Sequence, residues 1–272
     1  MDAMKRSLVV LALCLLSLLV EPAGYAAAAS DRAVTYYVSL GDSLAAGTQP
    51  GQLFTAEGYA DQLAALLRAA RPTLRLVKLG CPGETTASMI DPDLPFEGRG
   101  ARFACDYPRG SQLAEALNFL HAHRGFVKLV TLDIGPNDVF RGGGVPAIQA
   151  NLPGILAALR QAAGPAVPIV GMNFYDPFIA PVWFSDPSAL PAEVASAVGF
   201  NSLIGGDYAL AGMPVADVGT AFSLADTTLV GGVPLDVLRV CAWTWICSPA
   251  HDIHPNAVGY GVIARAFLPL LP

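Results

Sequence analysis

Short apolar stretches alternate along the chain with segments whose apolar side chains recur at helical spacing. The apolar stretches are rich in β-branched and aromatic residues, which predicts buried strands at residues 34–40, 74–79, 126–134, 167–173 and 215–218. The helical pattern covers residues 58–70, 111–123, 145–163, 192–210 and 255–268, with a kink or restart expected at Pro153. A short helix capped by Thr85 or Thr86 is expected to run to residue 90. This alternation favours an α/β fold in three layers, with a mostly parallel five-stranded sheet between two layers of helices and the first strand at its centre.

Three segments lack a clear period and predict loops: residues 91–109, 176–190 and 219–249. The second of these loops carries aromatic residues that we expect to be exposed. Whether it moves as a lid is left open by the sequence. There is no internal repeat, low-complexity tract or linker, so residues 30–272 are predicted to form a single domain.

The first 29 residues have the pattern of a secretory signal peptide. Lys5 and Arg6 precede an apolar run at residues 8–20, and small residues at 26–29 predict cleavage near Ala29. The apolar run is too short for a comfortable membrane span, which argues against a stable membrane anchor. The sequence therefore predicts a secreted, extracellular protein.

The net charge of -6 makes nucleic acid an unsuitable partner. Hydrophobic residues make up 53% of the chain and charged residues 14%, which indicates a thoroughly buried sheet or some exposed apolar surface. A monomer is expected.

Removal of the signal peptide takes Cys14 with it and leaves an even number of cysteines, which favours disulfides in an exported protein. Cys241 and Cys247 flank a short segment and can close a small loop, which leaves Cys81 to pair with Cys105. The spacing matches no familiar zinc pattern, and no histidine is close to Cys81 or Cys105 in sequence, so no metal site is expected.

Polar residues follow three of the predicted strands. Ser43 comes after Gly41-Asp42 at the end of the first strand, Gly80 follows the second, and Asn137 lies just beyond the third. Parallel sheets bind ligands at the carboxyl ends of their strands, so these residues are expected to meet in one crevice. Taken alone, the Ser43 segment also fits an ordinary turn with a helix cap.

A candidate base lies near the other end of the chain. His121 and His123 fall on a predicted helix, whereas His251 and His254 lie in a loop before the last one. Pro255 is expected to start that helix and to hold His254 at its edge.

Four sequence blocks resemble those of the GDSL, or SGNH, hydrolases, in order and over almost the whole mature chain. The blocks are Gly41-Asp42-Ser43-Leu44, Leu79-Gly80, Gly135-Pro136-Asn137-Asp138 and Asp252-Ile253-His254-Pro255. The resemblance implies a flavodoxin-like fold and the activity of a secreted bacterial esterase or lipase. It also implies that Ser43 is the nucleophile and His254 the general base. The N–H groups of Ser43 and Gly80 and the amide of Asn137 would form the oxyanion hole.

The last block departs from the family pattern. The family usually places an aspartate three residues before the histidine, where this chain has His251, while Asp252 stands two residues before it. Either Asp252 orients His254 through an altered backbone, or a backbone carbonyl does so and the site is a dyad. We favour Asp252, because a charged partner stabilises an imidazolium better than a carbonyl does.

The expected substrate is a small-molecule or lipid ester, and no metal or organic cofactor is required. Aromatic residues of the two later loops are candidates for the wall of an acyl pocket: Phe178, Trp183, Phe184, Trp243 and Trp245. Alternatively, they pack under long loops. A carbohydrate acetyl esterase and a non-catalytic exported binding protein on the same fold remain alternatives.

Overall fold

The computed structural model of the chain describes residues 33–91, 105–141 and 143–272. Residues 34–272 form one compact unit. The predicted signal peptide and most of the predicted loop at residues 91–109 lie outside the described residues. Within the described ranges, no helix combines the length and the apolar character needed to cross a bilayer.

A five-stranded sheet forms the centre of the fold. Its strands are β1 (Thr35–Gly41), β2 (Leu74–Lys78), β3 (Val127–Asp133), β4 (Ile169–Met172) and β5 (Val215–Ala216), in the order β2-β1-β3-β4-β5. Every neighbouring pair is parallel, as the alternation of strands and helices predicts. β3 is the central strand, and β1 is one place nearer the edge than expected.

The helices, in chain order, are α1 (Ser43–Ala46), α2 (Tyr59–Arg68), α3 (Thr86–Ile90), α4 (Gln112–Ala122), α5 (Pro136–Arg141), α6 (Gly144–Ala163), α7 (Ile179–Ser185), α8 (Leu190–Leu210), α9 (Val218–Ala221), α10 (Leu235–Trp243) and α11 (Ala257–Phe267). Short 3-10 turns at Pro187–Ala189 and Leu268–Leu270 extend this set.

The order in which strands are added to the sheet reverses at β1. The second strand, β2, lies on one side of β1, and the third, β3, lies on the other side. Right-handed crossovers then put the helix between β1 and β2 on one face of the sheet and the helices that follow on the other face. α2 packs with α11 on the first face, where Tyr59 and Phe267 stack at 5.3 Å. α3 and α4 both pack against α6 on the second face. The three-layer α/β/α arrangement is thereby confirmed.

Burial of the strands explains why the sequence reveals them. All residues of β4 are buried, as are the last five residues of β1 and of β3. Strands that are covered on both faces read as apolar runs rather than as alternating patterns. The polar residues that interrupt these runs, Ser39, Thr131 and Asp133, are themselves fully buried and hydrogen-bonded.

Two of the predicted loops, at 176–190 and 219–249, contain helices, and a further helix for which no prediction was made follows β3; the two loop predictions are wrong. The segment after β3 forms α5, in which Pro136 takes the first helical position. The aromatic segment after β4 forms α7, and the segment at 219–249 contains α10 and the hairpin of β6 (Leu229–Val230) and β7 (Val233–Pro234). Proline and glycine near the ends of these short elements made each of them resemble a loop.

The last part of the chain also differs from expectation. Pro255 does not start the final helix, because it ends a strand, β9 (Asp252–Pro255), which pairs antiparallel with β8 (Thr244–Trp245). α11 begins two residues later, where the Asn256 side chain accepts the N–H groups of Val258 and Gly259. α6 runs through Pro153 without the restart that the sequence suggested.

Candidate active site

Ser43 lies where β1 ends and α1 begins. Gly41 ends the strand with a φ of 134°, and a Cβ built there would stand 2.0 Å from the carbonyl oxygen of Asp133, so a larger residue does not fit this turn. Asp42 caps α1, since its Oδ1 accepts the N–H of Leu44 at 2.9 Å. The turn leaves Ser43 half-buried at the carboxyl edge of the sheet. The segment is therefore a turn with a helix cap and also places Ser43 at the predicted position of the nucleophile, so the two interpretations of the sequence do not exclude each other.

A cavity of about 350 Å³ opens beside Ser43. Asn137 and His254, from distant parts of the chain, also line it. Much of the remaining wall is aromatic, formed by Phe140, Phe174, Tyr175, Phe178 and Phe200. A hydroxyl, an imidazole and an amide therefore share a mainly apolar cavity.

His254 is bound to Asp252 through two hydrogen bonds. Asp252 Oδ1 lies 2.7 Å from Nδ1 of the imidazole and accepts the backbone N–H of His254 at 2.8 Å. The preceding residue, His251, has a φ of 45°, a left-handed conformation that turns the chain just before Asp252. A carboxylate at Nδ1 favours the tautomer with the proton on Nδ1, which leaves Nε2 free to accept a proton.

A hydrogen bond from Tyr175, just after β4, holds β9 in place. The hydroxyl of Tyr175 donates to the carbonyl of Ile253 at 2.8 Å. The Tyr175 ring stacks on Phe222 with centroids 4.5 Å apart. The strand that carries Asp252 and His254 is therefore fixed to residues that follow β4.

Asn137 occupies the first turn of α5. Its Nδ2 donates to Oδ2 of Asp42 at 3.2 Å, so the amide lies beside the turn that carries Ser43. Pro136 precedes it at the start of the helix. The amide and Ser43 therefore line the same cavity, and a role of Asn137 in the oxyanion hole stays a prediction.

Gly80 lies behind the Ser43 turn and is not among the residues that line the cavity. A Cβ at Gly80 would come within 2.4 Å of the Ala45 Cβ and 3.0 Å of the Asp42 carbonyl oxygen. The N–H groups of Leu79 and Cys81 donate to β1, whereas that of Gly80 meets no acceptor in the described part of the chain. The close packing against α1 alone accounts for a glycine at this position, and a role in the oxyanion hole stays a prediction.

Two disulfides join the cysteine pairs expected from the sequence. Cys81 is bonded to Cys105 with their Cα atoms 6.0 Å apart, and Cys241 is bonded to Cys247 with their Cα atoms 5.0 Å apart. The first disulfide fixes the segment that follows β2. The second closes the small loop between α10 and β9.

Two buried carboxyl groups lie side by side beneath Ser43. Asp133 is fully buried and Asp42 is 2% exposed, and their side chains are hydrogen-bonded to each other. Burial raises the pKa of Asp42, while burial and the charge of Asp42 raise the pKa of Asp133 well above its usual range. Two adjacent carboxylates in such a place do not ionise together, so the pair retains a proton.

A second pair of acidic side chains, Asp176 and Glu193, lines the cavity itself. Burial raises the pKa of Asp176 to about 7, and the neighbouring charge and hydrogen bond of Glu193 add to the shift. The Phe178 N–H, which donates to Asp176 Oδ1 at 2.8 Å, opposes it. The mainly apolar cavity therefore contains a carboxyl group that changes its charge near neutral pH.

Of the five aromatic residues proposed for the pocket wall, only Phe178 lines the cavity. Phe184 is on the surface, 64% exposed. Trp243 packs edge-on against Phe222, and the Trp245 indole N–H donates to Gln49 at 2.8 Å. The prediction was wrong for these residues because the loops that carry them fold as helices and hairpins directed elsewhere.

Four residues in or beneath the site were not predicted from the sequence: Asp133, Tyr59, Asp176 and Glu193. An acidic residue at the end of an otherwise apolar strand was a usable signal for Asp133. Glu193 was hidden because it lies in the first turn of α8, where acidic residues commonly stabilise a helix.

A serine hydrolase needs a hydroxyl, a base and donors to an oxyanion around one cavity. This chain places a hydroxyl, an imidazole and an amide around one cavity at the carboxyl edge of a parallel sheet, so the group types of a serine hydrolase are present on a three-layer α/β/α fold. The chain belongs to the GDSL-like lipase/acylhydrolase family, whose model matches residues 39–262. It is a serine ester hydrolase.

Solved structures share the fold at low sequence identity. LAE5, an alpha/beta hydrolase enzyme from the metagenome of Lake Arreo, Spain, is 21% identical with a TM-score of 0.54, over 87% of this chain and 94% of its own. A variant of Axe2, an acetyl xylan esterase from Geobacillus stearothermophilus, is 21% identical with a TM-score of 0.50, over 86% of this chain and 93% of its own. The sequence has no significant match among curated proteins.

Proposed function

We propose that the chain is a secreted esterase that transfers the acyl group of a carboxylic ester first to Ser43 and then to water. His254 is the general base, and Asp252 orients it. The observation that carries the proposal is that His254, bound to Asp252 at 2.7 Å, lines the same cavity as Ser43. The description of the family as lipases and acylhydrolases supports this reaction.

The first half of the reaction forms the acyl-enzyme. Nε2 of His254 takes the proton of the Ser43 hydroxyl as Oγ attacks the ester carbonyl carbon, and the carbonyl π electrons move to oxygen. The imidazolium then gives its proton to the leaving alcohol as the C–O bond breaks. Asp252 stabilises the imidazolium between these two events.

The second half releases the acid. Water takes the place of the alcohol, loses a proton to His254 and attacks the acyl carbon, and the proton returns to Ser43 Oγ as the acid leaves. Three donors are proposed for the oxyanion: the N–H groups of Ser43 and Gly80 and the side-chain amide of Asn137. The Asn137 amide carries two N–H donors, so it can keep its hydrogen bond with Asp42 while the second N–H is donated to the substrate.

The shape of the cavity favours esters with an apolar acyl or alcohol group. Aromatic rings form much of its wall, and such a wall binds apolar groups by burial. A carbohydrate acetyl ester is the second candidate, since a neighbour in fold is an acetyl xylan esterase and aromatic rings also bind sugars. Initial rates on p-nitrophenyl esters from acetyl to palmitoyl, compared with acetate release from acetylated xylan, separate the two.

Export is part of the proposal. Disulfides persist in oxidising compartments, and the two in this chain fit a protein that acts outside the cytosol. Mass spectrometry of protein secreted into the medium is expected to give a mature N-terminus at Ser30. An intact Met1 in all of the protein recovered contradicts it. The enzyme is expected to act as a monomer, which sedimentation measures.

The decisive experiment compares Ser43→Ala with Ser196→Ala, since both serines line the cavity. Ser43→Ala should abolish p-nitrophenyl acetate hydrolysis and labelling by a fluorophosphonate probe, because it removes the attacking oxygen. Ser196→Ala should retain both. A Ser43→Ala protein that still hydrolyses the ester refutes the nucleophile. A wild-type protein that neither hydrolyses nor labels supports a binding-only role.

A further inference from the structure

The carboxyl group of Asp133 binds the backbone on both sides of Ser43. Its Oδ2 accepts the N–H of Asp42 at 3.3 Å and that of Ala45 at 3.2 Å. Its Oδ1 accepts the hydroxyl of Tyr59 at 2.6 Å, and Tyr59 is fully buried. Asp133 is thus connected to the Ser43 turn and to α2 at the same time.

The backbone N–H groups at the start of α1 differ in whether they have a hydrogen-bond acceptor. Leu44 donates to Asp42 Oδ1, and Ala45 donates to Asp133 Oδ2. The Ser43 N–H has no acceptor among the residues that the structure describes. The two carboxyl groups therefore hold the amides that follow Ser43 and leave the Ser43 amide available to a substrate.

The second proposed oxyanion donor depends on the same pair. Asn137 donates to Oδ2 of Asp42. Asp42 is itself held by Asp133, because its N–H donates to both the carbonyl oxygen and the carboxyl group of Asp133. A displacement of Asp133 would thus move Ser43 and Asn137 together.

We propose that Asp133 is a positioning residue for the reaction at Ser43, holding the turn so that the Ser43 N–H and the Asn137 amide face one substrate oxygen. The proposal rests on the proposed function, because it assigns a role in that reaction. An acceptor oxygen at this position, rather than a negative charge, is what the turn requires. The raised pKa of Asp133 agrees with this, since a group that keeps a proton supplies little charge.

Asp133→Ala and Asp133→Asn test the role by kinetics. Alanine removes the acceptor of the Ala45 N–H, so kcat on p-nitrophenyl acetate should fall roughly thirtyfold while KM changes less than about threefold, because the donors are misplaced chiefly in the transition state. Asparagine keeps an acceptor oxygen, and the Tyr59 hydroxyl can rotate to receive its N–H. Asp133→Asn should therefore retain at least roughly one third of the wild-type kcat.

Asp236→Ala is the matched control. Asp236 is also fully buried and accepts a backbone N–H, that of Val237 at 2.7 Å, but it does not line the cavity. Its loss should lower stability in urea without lowering kcat more than about twofold. An Asp133→Ala kcat close to wild type overturns the proposal, as does an equal fall in Asp236→Ala or in Asp133→Asn.

Amide hydrogen exchange measures the positioning without any turnover. By NMR, the Ala45 amide should exchange at least roughly tenfold faster in Asp133→Ala than in wild type, and close to the wild-type rate in Asp133→Asn. An unchanged Ala45 rate refutes the positioning role whether or not the protein is an esterase. If the wild-type protein has no esterase activity, the proposed function and the kinetic prediction are refuted. If Ala45 exchange nevertheless rises in Asp133→Ala and stays at the wild-type rate in Asp133→Asn, Asp133 still holds the Ser43 turn.

Discussion

At the scale of single residues, the distance between Asp252 and His254 along the chain is the most unusual feature of the site. In an extended strand, residues two apart point to the same face, so Asp252 reaches the imidazole directly. The left-handed His251 supplies the turn that brings this strand into register with β8. Asp252 Oδ1 then binds both the backbone and the ring of His254.

Replacing Asp252 by Ala should lower kcat/KM for p-nitrophenyl acetate by at least roughly a hundredfold. The imidazole loses the group that fixes its tautomer and stabilises its charge. His251→Asn is the control, because asparagine adopts a left-handed conformation readily and keeps the turn. A loss of less than tenfold in Asp252→Ala shows that a backbone carbonyl is enough.

Asp176 predicts a charge-dependent substrate preference. Because its pKa is about 7, the cavity gains a negative charge as the pH rises from 6 to 8. Over this range, an ester with a carboxylate at the end of its acyl chain should lose about tenfold in kcat/KM relative to a neutral ester of equal length. Any effect of pH on the chemical step that is common to both substrates cancels in the ratio.

Asp176→Asn should remove the pH dependence of that ratio, whereas Asp186→Asn should keep it. Asp186 is an exposed carboxylate of the neighbouring segment and does not line the cavity. A ratio that changes equally in all three proteins assigns the effect to another group.

Part of the site could be predicted from local sequence patterns, whereas the rest depends on contacts between residues that are distant in sequence. Ser43, Asn137 and His254 stand in recognisable local patterns, and all three line the cavity. Asp133 and Tyr59 act through contacts with residues far away in sequence, and their own neighbours in the chain reveal none of these contacts. A buried network of this kind becomes visible only when the sheet order is known.

At the scale of elements, α11 packs closely against the end of α10 and the β8–β9 hairpin at Gly259. A Cβ there would lie 2.0 Å from the Trp243 carbonyl oxygen and 2.9 Å from the Pro255 Cβ. Backbone atoms cannot move aside as the end of a side chain can. The helix that follows His254 therefore needs a glycine at its contact with the end of α10.

Gly259→Ala should lower the free energy of unfolding in urea by about 2 kcal/mol, because the new methyl group forces the helix away from the hairpin. Gly261→Ala is the control on the same helix, where a Cβ would meet only the ends of the Gln62 and Arg265 side chains. That variant should be near neutral, since those side chains can move and alanine favours a helix. Equal effects from both substitutions contradict the close contact.

The long strands and amphipathic helices could be predicted because their burial produces an apolar run or a helical repeat along the whole element. The short helices α5, α7 and α10 could not, because they depend on tertiary packing and are bordered by turn-forming residues. Pro136 shows the difficulty: it ends a loop pattern in the sequence, yet in the fold it begins a helix.

At the scale of the whole molecule, buried acidic groups link the helices of the second face to the Ser43 turn. Glu84 is 2% exposed and accepts hydrogen bonds from Ser88 and from Gln112, whose amide also binds both backbone groups of Gly41. Burial raises the pKa of Glu84 from 4.5 to about 7, with the charges of Asp42 and Asp138 adding to the shift.

The raised pKa of Glu84 makes stability depend on pH. The folded state binds a proton more tightly than the unfolded state, so this group's contribution is greatest below about pH 4.5 and is lost as the pH rises to about 7, by roughly 3 kcal/mol in all. Glu84→Gln cannot ionise. Its unfolding free energy relative to wild type should therefore rise between about pH 4.5 and pH 7 and level off at higher pH.

Urea unfolding at several pH values measures this difference. Glu57→Gln, at an exposed position, provides the control and should show no such trend. A Glu84→Gln difference that does not vary with pH places the ionisation elsewhere.

The hydrogen bond between the Tyr260 hydroxyl and the Thr48 carbonyl, at 2.7 Å, joins α11 to the loop that follows Ser43. Gln62 adds a second link, from α2 to the carbonyl of Ala257. Because His254 directly precedes α11, the proposed base is expected to reach the proposed nucleophile only when α11 has docked against the loop that follows α1. Recovery of esterase activity during refolding is therefore expected to follow the formation of this contact, between residues 212 apart in sequence, rather than the assembly of the sheet.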